Sequence, residues 1–374
     1  MSTPPSQDPS VRLKYDASQI QAYLDTIALP SRHRESPVFS KPELARTITY
    51  GLPLLAALQK YQLVAIPFEN LALHYNSVPS VTIQADFVHD KFITTACGRG
   101  GRCMENNLLF YTVLLSIGFN VTSIAGRVNE AVQPTSAQEN WPGPRYDGWN
   151  HRITLVRFTD DATVEAEDGV KDVKRTFLVD TGFGAKCPTK PLELNRDVPT
   201  RITNMAPKQE SRIRWTNIPD NVNKSQLIWV YEFRYDVKAD WIPAYCFSET
   251  EFLPNDYAMM SFFTSHNPKS WFTYSVVCVK MVMGKRSSST TTTTPRQYGQ
   301  QAAEQLQDSE VEDEIVGDVT LFNNEVKRRV HGEAETVERL ETEDQRVAAL
   351  KKWFGISLTD SERDGIKGKA SALS

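Results

Sequence analysis

Two glycines and a cysteine stand directly before the most helix-like run of this chain, and this feature constrains its fold and chemistry most strongly. The stretch Arg99–Asn107 reads RGGRCMENN, and the run from Asn106 to Ile117 is closed by Gly118. A thiol in the first turn of a helix meets unpaired backbone N–H groups and the positive end of the helix dipole, which favour an anion. The glycines leave room for a substrate beside the sulfur. Cys103 is therefore predicted to be a nucleophile.

A candidate base and a group to orient it lie on two later strands. The segment Gly148–Val156 alternates so that His151 shares one face with two apolar residues. A second short apolar strand ends at Asp180, directly before a glycine turn. Cysteine, histidine and carboxylate are the nucleophile, the general base and the orienting group of thiol-based acyl transfer. The sequence thus predicts a triad of Cys103, His151 and Asp180.

The pattern of apolar residues changes along the chain and predicts an α+β fold. Helical spacing dominates the first third, strand-like alternation follows, and the last third mixes both. We expect an N-terminal helical bundle that carries Cys103 (13–118), a central antiparallel β-barrel or sheet that carries His151 and Asp180 (119–250), and a C-terminal α/β lid (251–374). Residues 1–12 are expected to be disordered. An unbroken Ser/Thr run, Ser287–Thr294, predicts a flexible insertion over 285–314.

Composition excludes several classes of function. The chain of 374 residues has a formal net charge of −4, which gives no sign of nucleic-acid binding. No run approaches the roughly 18 apolar residues of a membrane span, and residues 1–10 lack the apolar centre of a signal peptide. The five cysteines form no C-x-x-C pair, and no Cys or His pair has the spacing of a metal site. A cytoplasmic protein without a metal is expected.

Five stretches together resemble the arylamine N-acetyltransferase family, and its fungal members most of all. They are the RGGRCMEN motif (99–106), the IPFENL segment (66–71), the His151 strand, the DTGFG turn (180–184), and the TSHNPKSWF segment (264–272), which has one residue more than the family's segment. The resemblance implies a cysteine-protease-like core with the triad Cys103, His151 and Asp180. Glu69 is expected to be a structural partner of a nearby basic group, with Arg99 as a candidate, because an unpaired buried carboxylate is costly.

The resemblance also implies a reaction and its binding residues. An acyl-coenzyme A would acylate Cys103, and the acyl group would then pass to an arylamine, arylhydrazine or N-hydroxyarylamine, as in xenobiotic metabolism. Acyl-coenzyme A is thus a co-substrate, and no tightly bound cofactor is expected. Phe68 and Phe183 are expected beside the acceptor. Expected coenzyme contacts are the turn residues Gly182, Phe183 and Gly184 and the hydroxyls of a predicted polar loop, Thr264, Ser265 and Ser270.

Several alternatives stay open at this point. The donor could be malonyl- rather than acetyl-coenzyme A, in which case a cation should contact the malonyl carboxylate. Arg127, Arg152 and Lys186 are candidates by sequence proximity to the triad. Cysteine, histidine and aspartate in this order also fit a papain- or transglutaminase-like thiol amidase. A coenzyme-binding protein with an idle triad is the non-enzymatic reading. The natural acceptor and the oligomeric state are not predicted.

Overall fold

The computed structural model describes residues 8, 10–134, 144–159, 174–205, 209–285 and 313–373. The predicted disorder of residues 1–12 and the predicted flexibility of the insertion fall for the most part outside these residues. Helices and strands are numbered here in chain order. The helices are α1 (Ala17–Thr26), α2 (Ser31–Arg34), α3 (Ile48–Ala65), α4 (Leu71–His74), α5 (Ala85–His89), α6 (Cys103–Ile117), α7 (Pro254–His266), α8 (Glu343–Ala349) and α9 (Asp360–Gly365).

The strands of the described residues form two antiparallel sheets, one of eight strands and one of five. The eight-stranded sheet has the order β5 (Leu192–Glu193), β4 (Lys174–Val179), β3 (Tyr146–Thr159), β2 (Asn120–Asn129), β9 (Ile242–Glu251), β8 (Ile228–Arg234), β7 (Glu210–Thr216) and β6 (Thr200–Thr203). The five-stranded sheet has the order β1 (Phe68–Glu69), β10 (Val277–Lys285), β11 (Asp313–Phe322), β12 (Glu325–Val330) and β13 (Glu333–Arg339).

Helix α6 is the central element of the N-terminal part. It begins at Cys103, and Gly118 ends it in the left-handed region with a φ of 115°, as the sequence predicts. The Glu105 carboxylate accepts the backbone N–H of Arg102 at 3.0 Å, which satisfies one donor at the helix start. The helix is buried on nearly every side, and its apolar residues join a core shared with α3 and with one face of β3 and β4.

The two faces of β3 divide the site from the helical core. Ile153 and Leu155 pack inside the curled eight-stranded sheet, whereas Val156 and Phe158 join the core around α6. His151 has the same parity as Ile153, so it lies on the inner face of the sheet. The β3–β4 pairing places Val179 opposite Thr154, so β4 ends close to His151. Asp180 follows directly, which brings the two residues together.

The short strand β1 connects the helical part to the five-stranded sheet. Its residues pair with Cys278 and Val279 of β10, and the Glu69 N–H donates to the Gly101 carbonyl at 3.0 Å. Gly101, two residues before the cysteine, is therefore hydrogen-bonded to an edge strand of the five-stranded sheet. Ala349 at the end of α8, Leu350 directly after it and Ile366 directly after α9 share a core with Leu321 of this sheet.

The observed architecture confirms the predicted α+β fold class, with helices, an antiparallel barrel-like sheet and a mixed C-terminal part. The prediction that Thr264 and Ser265 lie in a polar loop was wrong. Both residues lie in the last turn of α7. Strands β6, β7, β12 and β13 were not predicted at all. Among the helices that the structure describes, none combines the length and apolar character needed to cross a membrane.

Candidate active site

Cys103 is the first residue of α6 and lies between the helical part and the sheet. Its side chain is 8% exposed, and its sulfur lies 3.6 Å from the Asn150 carbonyl oxygen. It belongs to an apolar cluster with Met104, Tyr257 and Met260, the last two from α7. The helix start leaves its first N–H groups without partners inside the helix. The sulfur thus sits where backbone donors favour negative charge on a bound group.

His151 and Asp180 form a buried ion pair beside this cysteine. The Nε2 atom of His151 lies 2.7 Å from Oδ2 of Asp180, and both side chains are almost fully excluded from solvent. This contact leaves Nδ1 as the imidazole nitrogen available to Cys103. The structure therefore brings together the three residues that the sequence predicts as a triad.

Charge coupling within this group shifts both pKa values. Burial alone disfavours the imidazolium, but the Asp180 carboxylate and the Cys103 sulfur outweigh it and raise the pKa of His151 to about 10. Burial also disfavours the Asp180 carboxylate, yet His151 and three hydrogen bonds overcome that and lower the pKa of Asp180. The arrangement holds a proton on His151 and negative charge on Asp180 at neutral pH.

Asn107, one turn after Cys103, fixes the second oxygen of Asp180. Its Nδ2 donates to Asp180 Oδ1 at 2.8 Å and to the Arg152 carbonyl at 2.6 Å, while its Oδ1 accepts the Thr181 N–H at 2.8 Å. The Gly182 N–H donates to the same Asp180 oxygen at 2.9 Å. One amide side chain thus joins α6, β3 and the aspartate turn. Sequence reasoning missed Asn107, although its i+4 spacing from the nucleophile is a usable signal.

The turn after Asp180 packs directly against the nucleophile. A side chain at Gly182 would come within 2.7 Å of the Cys103 Cα atom, so only glycine allows this approach. The centroid of the Phe183 ring lies 4.9 Å from the centroid of the His151 ring. Gly184 has a φ of +60° and sits beside the Phe68 ring. Phe183 therefore contacts the triad, and Phe68 lies beside the turn that follows Asp180. A position next to the acceptor stays a prediction for both residues.

The predicted coenzyme residues on and after α7 are engaged within the protein. Thr264 Oγ1 donates to the Met260 carbonyl at 3.0 Å, and Ser265 Oγ donates to the Ser261 carbonyl at 2.6 Å. Ser270 Oγ donates to the Thr264 carbonyl at 2.8 Å. A coenzyme role for these three hydroxyls stays a prediction.

Glu69 and Arg99 form the buried pair that the sequence suggested. Arg99 Nε lies 3.0 Å from Glu69 Oε1, and Arg99 also pairs with Glu362 of α9. Glu69 further accepts the Leu71 N–H at 2.6 Å. This network links the segment before the cysteine to the C-terminal helix.

Comparison with known proteins identifies the family. A family model described as N-acetyltransferase matches residues 51–318. An N-malonyltransferase of Gibberella moniliformis is 34% identical over 368 residues, which are 96% of this chain and 94% of that protein. An arylamine N-acetyltransferase / N-hydroxyarylamine O-acetyltransferase of Salmonella typhimurium is 28% identical, over 68% of this chain and 77% of that protein. The chain belongs to the arylamine N-acetyltransferase family.

Solved structures agree on the fold of this family member. The structure of the Mycobacterium marinum arylamine N-acetyltransferase in complex with CoA superposes with a TM-score of 0.62 and 23% sequence identity. The superposition covers 95% of this chain and 100% of that chain. The similarity predicted from five short motifs is thereby confirmed, and the chain is an acyltransferase.

Proposed function

We propose that this chain transfers an acyl group from an acyl-coenzyme A to an arylamine through an acyl-Cys103 intermediate, with His151 and Asp180 as its catalytic partners. The observation that supports this proposal most strongly is the buried triad. A cysteine begins a helix beside an imidazole whose Nε2 lies 2.7 Å from a carboxylate oxygen. Family membership supports the same reaction class.

The geometry supports a two-step exchange at one sulfur. The Cys103 thiol passes its proton to the His151 imidazole that Asp180 orients, and the sulfur attacks the thioester carbonyl of the donor. Backbone N–H groups at the start of α6 stabilise the tetrahedral oxyanion. Coenzyme A leaves as its thiol after it takes the proton from His151. The arylamine then attacks the acyl-cysteine, and the neutral imidazole accepts the proton from its nitrogen.

Malonyl-coenzyme A is the donor that we favour over acetyl-coenzyme A. The sequence relatives named N-malonyltransferase align over 94% of their length at 34% identity, whereas the Salmonella typhimurium enzyme named for acetyl transfer aligns over 77% at 28%. The M. marinum structure was solved with CoA bound, which supports a coenzyme A thioester as the donor here. Arylamines, arylhydrazines and N-hydroxyarylamines are the proposed acceptors.

The proposal places the protein in a reducing compartment, the cytoplasm. Cys97, Cys103, Cys187, Cys246 and Cys278 are all free in the structure. A nucleophilic thiol must stay reduced to act, and reduced thiols are the usual state in the cytosol.

Steady-state kinetics test the proposed function directly. Initial rates would be measured with malonyl- and acetyl-coenzyme A against a panel of anilines and arylhydrazines. We expect acylated amine as the product and parallel double-reciprocal lines, because the donor must leave before the acceptor reacts. Release of peptides from casein, or amine transfer onto protein glutamine, without any thioester-dependent acylation, would instead support the thiol amidase reading.

A further inference from the structure

We propose that Arg102, the residue directly before the nucleophile, recognises the carboxylate of a malonyl donor. The inference rests on the proposed function and names the specificity determinant of the same site. Its basis is a buried guanidinium beside Cys103 that, within the described part of the chain, has hydroxyl partners but no acidic partner.

Arg102 is among the most deeply buried charged residues of the chain, with 2% of its surface exposed. Its Nη1 donates to Thr264 Oγ1 at 2.9 Å, and its Nη2 donates to Ser265 Oγ at 2.6 Å. Its Nε has no hydrogen-bond partner in the part of the chain that the structure describes. Among the described residues, no carboxylate forms an ion pair with it. A charge buried against neutral hydroxyls alone is costly, so this site has unused capacity for an anion.

The two acidic residues nearest in the network are committed elsewhere. Glu105 pairs with Lys91 at 2.8 Å, and Glu69 pairs with Arg99 at 3.0 Å. Within the described residues, neither carboxylate contacts the Arg102 guanidinium, and both favour its charge only from a distance. A substrate carboxylate would be the first anion in direct contact with this guanidinium.

Position along the chain makes the contact reachable. Arg102 and Cys103 are neighbours, so their Cα atoms are about 3.8 Å apart. In a malonyl thioester, the thioester carbonyl carbon and one methylene separate the sulfur from the carboxylate. The Arg102 guanidinium stands over the Phe272 ring at 5.3 Å, and Phe272 lies 6.2 Å from Phe68. Phe68 borders the turn that follows Asp180. The guanidinium is thus linked through the rings of Phe272 and Phe68 to the turn that packs against the triad.

When the donor binds, its malonyl carboxylate replaces the Thr264 and Ser265 hydroxyls as the hydrogen-bond acceptor of the Arg102 guanidinium. A carboxylate is a stronger acceptor for a guanidinium than a neutral hydroxyl, and it can bind in a bidentate manner. Thr264 and Ser265 already donate to backbone carbonyls of α7. Their hydroxyls therefore keep their donor bonds satisfied when the guanidinium turns toward the acyl group.

The three cations suggested by sequence proximity are placed less favourably. Arg152 projects from the opposite face of β3 from His151, with its guanidinium 4.3 Å from the Tyr257 ring. Lys186 donates to the Val132 carbonyl at 2.8 Å. The Arg127 guanidinium lies over the Trp149 ring at 4.5 Å, and it is this indole that packs against the Cys103 cluster. Arg127 is the matched control for the test.

The test compares two donors in two variants. Values of kcat/KM for malonyl- and acetyl-coenzyme A would be measured with one arylamine for the parent, Arg102→Gln and Arg127→Gln. We expect Arg102→Gln to lose about 100-fold with malonyl-coenzyme A, the loss of one charged contact, and less than about fivefold with acetyl-coenzyme A. Arg127→Gln should keep the parental ratio of the two donors.

Other results would overturn the assignment in distinguishable ways. Equal losses with both donors would mean that Arg102 only positions Cys103 or α7, and an unchanged ratio would remove it from donor selection. A parent enzyme that uses acetyl- but not malonyl-coenzyme A would refute this inference and leave acyl transfer intact. If neither donor reacts, the proposed function itself fails. Should Arg102→Gln not fold, Arg102→Lys replaces it, with an expected malonyl-specific loss of at least about tenfold because the forked contact is gone.

Discussion

At the scale of single residues, the site depends on how Asp180 is held rather than on its presence alone. Oδ2 faces the imidazole, and Oδ1 accepts from Asn107 and from the Gly182 backbone. With both oxygens fixed, the carboxylate can present only one edge to His151. This arrangement selects the neutral imidazole tautomer that carries its proton on Nε2, which leaves Nδ1 unprotonated for the sulfur.

Asp180→Asn should therefore cripple the enzyme without unfolding it. The amide can keep an oxygen toward Asn107, but it then presents an N–H to Nε2 and stabilises the wrong tautomer. By analogy with the serine triad we expect kcat to fall about 10⁴-fold. Turnover measured beside a thermal melt is the check, and a folded variant within about tenfold of the parent would show that Asp180 does not orient the base.

The coupled charges also predict a pH dependence of stability. The pKa of His151 is about 10 in the fold, against about 6.5 for an unperturbed histidine. Its stabilising contribution is therefore complete below about pH 6.5 and is lost as pH rises through about 10. The free energy of unfolding of the parent should fall relative to His151→Gln over this window, by at most about 1.4 kcal/mol per pH unit. Urea titrations at several pH values measure it, and a constant difference between the two proteins would contradict the buried imidazolium.

At the scale of elements, the close approach of the aspartate turn to the start of α6 sets the geometry of the site. Gly182 lies against both Cys103 and Asn107, so there is no space for a side chain between the turn and the helix. The nucleophile and its orienting group are thereby joined through backbone as well as side-chain contacts.

Gly182→Ala should damage both stability and catalysis. The added methyl would lie 2.7 Å from the Cys103 Cα and from Asn107 Nδ2, so the helix start must shift. We expect about 1–3 kcal/mol of destabilisation and a fall in kcat of about 100-fold. Gly148→Ala is the control, because its added methyl meets nothing within 4 Å. Equal behaviour of the two variants in denaturant titrations and assays would contradict the argument.

Elements marked by a local motif were predictable, and those defined by distant contacts were not. Cys103 precedes a glycine-capped apolar run, and His151 lies on an alternating strand, so both elements could be identified from short windows. Helix α7 carries large apolar residues on its exposed side, including Phe262 and Phe263 at 65% and 60% exposure, so periodicity does not reveal it. The contact of Arg102 with Thr264 spans 162 positions and has no local signal.

At the scale of the whole molecule, the site lies where three parts of the chain meet. Cys103 comes from the helical part, His151 and Asp180 from the eight-stranded sheet, and Tyr257 and Met260 of α7 cover the cysteine. Strand β1 and the Arg99–Glu362 pair tie these parts to the five-stranded sheet and α9. The predicted domain limits remain a prediction, but the site needs all three parts.

The region between β10 and β11 should be dispensable for this arrangement. Lys285 and Asp313 are paired opposite each other at the ends of the two strands, so a two-residue Asn-Gly turn can join them. Replacing residues 286–312 by Asn-Gly should change the free energy of unfolding by no more than about 0.5 kcal/mol and leave kcat within about twofold. A large loss of stability or activity would mean that these residues contribute to the core or the site.

Intact-protein mass spectrometry tests the central claim most directly. The parent and Cys103→Ala would each be incubated with malonyl- or acetyl-coenzyme A in the absence of any amine. The account predicts that the parent gains the mass of one acyl group, more rapidly from malonyl-coenzyme A, and that subsequent arylamine removes it. Cys103→Ala should gain none while keeping the parental melting transition. A folded parent that gains no mass from either donor, or an adduct that persists in Cys103→Ala, would contradict acyl transfer through this cysteine.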